Sequence, residues 1–231
     1  MNDIKSGKFE QEFSDRFARH IGILGEIRKQ TLKMGPMLEE HKEKDEFIET
    51  AKQFALINID SPSCIVACLR SGHIGQAHVL LRWFLEMCHL CYFLWKNPDD
   101  YKEWLAGKWK KPSEIGKFFE KMGLATWRKD YEEWSNIVHG NSNVVTKYHT
   151  ISNVVEVNEG QVILVGQALR NLLFTSHKFT NIFGKLLQPH IGDAFKEIAL
   201  RYNELEEQIF KLSDEQNEWE KKFMGEVSDR K

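Results

Sequence analysis

Residues 80–95 read LLRWFLEMCHLCYFLW, a run too apolar for the surface of a soluble bundle and too charged for a membrane span. Such a segment has to be enclosed by other helices, so the chain must supply several of them around it. Inside the run Arg82 and Glu86 stand four residues apart, which places both on one face of a helix. Ionised groups are seldom buried without company, because breaking a buried pair costs about 3–5 kcal/mol. Partners of the right kind recur every fourth residue downstream in YEEWSNIVHGN, as Tyr131, Ser135 and His139. A buried polar network across two helices is predicted.

On α-helices, His78, Arg82 and Glu86 form one polar stripe and Tyr131, Ser135 and His139 another. Facing each other, they permit one arrangement. Glu86 pairs with Arg82, Arg82 serves a ligand, the Ser135 hydroxyl orients His139, and Asn141 supports the helix end. A histidine at a helix C-terminus has a stabilised protonated form, which suits a general acid beside an anion. The same residues read equally as a packing network that performs no chemistry. The spacing alone leaves both readings open.

Hydrophobic spacing is helical almost throughout. Phe13, Phe17, His20, Leu24, Ile27 and Thr31 keep a four-three rhythm, predicting a first helix that stops near Gly35 and Pro36. A second is predicted over 37–59. Ser61 and Pro62 then read as an N-cap and first helical position, opening one long apolar helix to about Asn97. Shorter helices are predicted at 99–106, 113–122 and 126–139, the last closed by Gly140. The β-branched stretch VVTKYHTISNVVEVNEGQVILV, with a turn signal at Asn158 to Gly160, allows a small β-hairpin. Helix is predicted again from Gln167 to just before Pro189. The chain closes on a long charged helix where Phe195, Ile198, Tyr202, Leu205, Ile209, Leu212, Gln216, Trp219 and Phe223 alternate steps of three and four. That stripe has to pack against the first helix or against its copy in a second subunit.

Composition narrows the class. An apolar share of 42%, with 15 Phe and 7 Trp, implies a core filled with large rings, and a formal net charge of −2 supplies no global field to attract nucleic acid. The N-terminal MNDIKSGKFEQEF lacks the apolar stretch of a secretory signal, so a cytoplasmic protein is expected. Cys64, Cys68, Cys88 and Cys91 are expected on one long helix, as reduced thiols too far apart for a single zinc site. Glu86 and His89 make one Glu-x-x-His pair, but Asn136 stands where a second copy before His139 would need its glutamate, so no di-iron centre is expected. No cofactor or metal is called for. Lys108, Trp109, Lys110 and Lys111 form the one basic cluster with an interleaved ring, a local phosphate contact or a solvated loop.

The order of Arg82-x3-Glu86 and then Tyr131-x3-Ser135-x3-His139-Gly140 resembles a group of bacterial all-helical proteins that is similar in turn to the HEPN superfamily (higher eukaryotes and prokaryotes nucleotide-binding). The resemblance covers about residues 60–190. It implies a helical bundle, often dimeric, of a superfamily found in toxins and antiviral defence. Active members cut RNA without metal through an Arg-x4-6-His motif. This chain departs from that motif before His139, where Trp134, Glu133 and Glu132 replace the arginine. Two other stretches fit it: Arg82-x6-His89, and Arg170-x6-His177 with a polar Asn171 after the arginine. Arg82, Glu86, Ser135 and His139 are therefore the first candidate site, and Arg170, Asn171 and His177 the second.

The resulting expectation is an all-α bundle around a long central apolar helix, allowing a small hairpin. An N-terminal helical extension spans 1–59, a HEPN-like core 60–190 and a heptad-patterned helix 191–231. The molecule is expected to be a homodimer that binds RNA or a nucleotide, with metal-independent endoribonuclease activity in view. The competing expectation is a non-catalytic helical interaction module.

Overall fold

A computed structural model describes residues 2–42, 45–108, 110–122 and 159–228. The described chain is all α-helical: α1 (Asn2–Glu40), α2 (Phe47–Arg70), α3 (Ile74–Lys96), α4 (Pro98–Leu105), α5 (Pro112–Lys121), α6 (Glu159–Ile191) and, after a 3₁₀ turn at Gly192–Ala194, α7 (Phe195–Ser228). Among the described residues no helix is long and apolar enough to cross a membrane.

Residue pairs fix the directions. Thr31 meets Thr180, and His41 stacks on His190, so α1 runs parallel to α6. α3 folds back on α2 through the three-residue turn at 71–73 and so rises alongside α6, with Cys88 reaching the Thr175 carbonyl. Asn58 meets Ser176 and Thr180 while Phe54 meets Phe179, so α2 descends against α6. α7 also descends, with Asn181 bonded to Tyr202 near one end and Gln167 to Glu220 near the other. The central element is thus α6, touched by α1, α2, α3 and α7. Its fully buried Ala168, Leu169, Leu172, Phe179, Phe183 and Leu187 explain why. One continuous apolar core draws on residues from Phe13 to Leu212, spanning all three expected segments.

Several expected boundaries move. The first helix does not stop at Pro36 but continues to Glu40. Pro36 leaves the carbonyl of the exposed Leu32 without its helix donor, while buried Met34 and Leu38 hold the next turn to the core. The helix expected over 37–59 and the start expected at Ser61 are both replaced by α2, with Pro62 buried inside it. The break falls instead at Gly72, whose φ of 75° terminates α2 in a Schellman cap: His73 N–H donates to the Cys68 carbonyl at 2.8 Å and Gly72 N–H to that of Leu69 at 3.1 Å. The four cysteines consequently sit on two antiparallel helices rather than one, with Cys88 and Cys91 buried and Cys64 exposed.

The short helices α4 and α5 lie within a residue of their expected positions. The hairpin fails in its second arm: residues 161–165 belong to α6, which begins at Glu159 and runs through Pro189. Val162, Val165, Leu169 and Leu172 bury on the helical period, so packing overrides the β-branched propensity of that run. The first arm, and the helix expected over 126–139, lie outside the described residues. Leu205, Ile209, Leu212 and Gln216 of α7 are buried within the chain against α6 and α1, so the heptad stripe needs no second subunit.

Candidate functional site

Arg82 and Glu86 lie in the middle of α3, and the Arg82 Nε–H donates to Glu86 Oε1 at 3.0 Å. Side-chain exposures of 15% and 28% put this pair at the edge of the core rather than inside it. The expectation that the helix is almost wholly enclosed is corrected accordingly: Val79 and Trp83, on the same side, are 51% and 42% exposed. Residues 79, 82, 83 and 86 follow the i, i+3, i+4, i+7 pattern of a single helix face. Their opposite face, with Ala77, Leu81, Phe84 and Cys88, belongs to the core.

His78, expected to extend the stripe, is buried, and its Nδ1 lies 2.7 Å from the Ile74 carbonyl one turn earlier. Burial lowers its pKa to about 4, so the ring is neutral at pH 7. His89 is also buried, against Phe119, and burial holds it well below the usual histidine range. The partner stripe of Tyr131, Ser135, His139 and Asn141 lies outside the described residues.

Two members of the second candidate set, Arg170 and His177, share one face of α6 toward α7, but each meets its own partner there. Arg170 donates to the Asn217 side chain. His177 lies flat on the Tyr202 ring, centroids 3.8 Å apart and planes inclined by 13°. Asn171 is half-buried. His177 is 2% exposed, neither ring nitrogen has a hydrogen-bond partner among the described residues, and burial brings its pKa down to about 4. A general acid or base must reach the proton it moves, and Tyr202 covers this one.

Two lysines of the basic cluster are ion-paired. Lys108 pairs with Glu103, and Lys110 with both Asp100 and Glu103. Among the described residues no group of three His, Cys, Asp or Glu side chains is placed to hold a metal ion.

Spacing did not reveal the best-connected polar cluster, which ties α1, α2 and α6 together. Asn58 Nδ2 donates to Thr31 Oγ1 at 3.1 Å, Thr180 Oγ1 at 3.0 Å and the Ser176 carbonyl at 3.3 Å. Its Oδ1 accepts from Ser176 Oγ at 2.8 Å. Thr31 and Thr180 lie 3.0 Å apart and each reaches a carbonyl of its own helix, that of Ile27 or of Ser176, so that two hydroxyl protons serve three contacts. All four residues are buried and satisfied, as in a packing network rather than a reactive site. The visible signals were Asn58 in the apolar stretch FALINI at residues 54–59 and the T-S-x3-T run at residues 175–180.

Compared with protein-family models, curated proteins and solved structures, the chain matches none.

Proposed function

We propose that this chain is a HEPN-like helical protein that binds RNA or a nucleotide through a phosphate at Arg82 on α3. The observation that carries the reading is the Arg82–Glu86 pair, a guanidinium oriented by a carboxylate at 3.0 Å in the middle of a mostly apolar helix. A positioned guanidinium matches phosphate oxygens, and apolar surroundings strengthen that attraction over its value in water. In this reading Arg82 neutralises charge on the phosphate, Glu86 holds Arg82, His139 acts as general acid or base and Ser135 positions it. The homodimer expected from the resemblance remains part of the proposal, without the terminal stripe as its support.

A second reading, a non-catalytic helical interaction module, is favoured by one observation. The described interhelical polar contacts of Asn58, Arg170 and His177 each join helix to helix.

The two readings separate in one experiment. The protein is incubated with mixed RNA in EDTA beside Arg82→Ala and His139→Ala, with His177→Ala as control, and binding and cleavage are followed together. The phosphate reading expects binding lost in Arg82→Ala and any cleavage lost in His139→Ala, with His177→Ala unchanged. A wild-type protein that neither binds nor cleaves RNA or nucleotides, while Arg82→Ala lowers the melting temperature by several degrees, establishes the interaction module instead.

A further inference from the structure

The exposed face of α3 carries a feature that the phosphate reading does not use. Large aromatic side chains are normally driven inward, and the other described tryptophans follow that rule by lying against a ring or a cation. Trp95 stacks edge-on with Tyr92, Trp104 lies on Phe54 and Tyr101, and Trp219 covers Arg16. Trp83 differs. It is 42% exposed, stands outside the core cluster, and stacks on no ring among the described residues. It is also one residue from Arg82, with Val79 a turn before it, on the face shared by the Arg82–Glu86 pair.

We propose that Trp83 is a stacking platform for an unpaired base of single-stranded RNA whose phosphate sits at Arg82. The inference rests on the phosphate reading above and specifies its ligand class. Three arguments lead to it. An indole 42% exposed and one residue along the helix from a guanidinium matches the pairing of base and phosphate within one nucleotide, and every base has a face that can stack. Because Glu86 balances Arg82 and the chain carries a formal charge of −2, attraction to phosphate alone supplies little affinity, so a second contact is needed. A duplex hides its base faces in the stack, leaving single strands as the form that can use the ring.

Binding is measured by fluorescence anisotropy with a labelled ten-nucleotide oligoadenylate, an abasic ribose-phosphate oligomer of equal length and an RNA duplex. The variants are Trp83→Leu, which keeps apolar bulk without a ring, Trp83→Phe, which keeps a smaller ring, and Arg82→Gln. The proposal expects oligoadenylate to bind more tightly than the other two ligands. Trp83→Leu should weaken it about 5- to 150-fold and leave abasic binding unchanged, while Trp83→Phe retains most of the affinity. The salt dependence should be shallow, with a log–log slope near −1, as one or two phosphate contacts to a single strand require.

The outcomes separate the two claims. Loss of both single-stranded ligands in Arg82→Gln with none in Trp83→Leu keeps the phosphate reading and overturns the platform. Loss in Trp83→Leu with none in Arg82→Gln keeps the platform and overturns the phosphate site. No binding by the wild type, or no change in either variant, overturns both. A dimer by light scattering that becomes a monomer in Trp83→Leu identifies a second copy of the chain as the occupant and overturns the platform.

Discussion

Truncating Asn58 to alanine removes the hub that joins three helices, and its cost can be worked from the hydrogen bonds. Thr31 and Thr180 still have each other and the carbonyls of Ile27 and Ser176 within reach for their two hydroxyl protons, so neither is stranded. The Ser176 hydroxyl loses the acceptor it reaches at 2.8 Å in a site closed to water, which costs about 1–3 kcal/mol. The vacated amide volume adds roughly another 1 kcal/mol in a core that relaxes only in part. The expected loss is about 3 kcal/mol out of a total of roughly 5–15. Urea denaturation followed by circular dichroism reads this as a midpoint lower by about 1–2 M at an unchanged slope. Asn58→Leu separates the two terms, since leucine fills the space and leaves the hydroxyl stranded: it should cost about 1 kcal/mol less than alanine. In the double variant with Ser176→Ala, the stranded group is gone, and the combined cost should fall short of the sum by about 1 kcal/mol or more. A loss below about 1 kcal/mol in Asn58→Ala, or strict additivity with Ser176→Ala, would refute the assignment of this cluster as a structural keystone.

Acid should destabilise the fold by a defined route: burial lowers His177 and His78 to about 4 against an ordinary 6.5. Between these values the unfolded chain binds more protons, so their stabilisation is complete above pH 6.5 and is lost as pH falls toward 4. His177 contributes at most about 3 kcal/mol of this slope, and urea midpoints for His177→Phe between pH 7.5 and 4.5 should vary less than those of the wild type. An identical slope would remove His177 from the account. Gly166→Ala should cost about 1–2 kcal/mol in thermal melts, because a Cβ there collides with the Gln216 side chain and disturbs its 3.2 Å contact with His20; the flexible amide limits the damage. Removing the chain beyond Leu205 should lower the melting temperature sharply and raise dye binding to exposed apolar surface, since Ile209 and Leu212 cover α6 and α1. A truncated chain that melts like the full one would show that α7 contributes little to the core.

Much of the fold was legible because helical periodicity is a local property. The four-three rhythm of α1 and α7, the placement of α4 and α5 behind their prolines, and the Arg82–Glu86 pairing at i and i+4 all follow from residues within a few turns of one another. The prolines misled for the opposite reason. Pro36, Pro62 and Pro189 each read as a boundary, yet each lies within a helix: burial of the turns around Pro36 and Pro62 outweighs one lost hydrogen bond, while Pro189 stands exposed in the last turn of α6. Gly72 ends a helix because its carbonyl-capping geometry needs a positive φ, a requirement that residue type alone did not single out among the glycines. The second arm of the hairpin was lost to α6 by the same competition between propensity and burial.

The candidate site divides along the same line. Sequence by itself determined that the chain is an all-α bundle, that Arg82 and Glu86 pair on α3, and that Arg170 and His177 share a face of α6, since all three follow from the pitch of a helix. Only the tertiary structure decided which faces are covered. It laid Tyr202 over His177, wrapped the heptad stripe onto α6 and α1, gathered Asn58, Thr31, Ser176 and Thr180 from three distant stretches, and left Trp83 open beside Arg82. Periodicity specifies the angle at which a side chain leaves its helix, whereas the neighbour it meets depends on how separate helices cross, and that is set by the packing of the whole core.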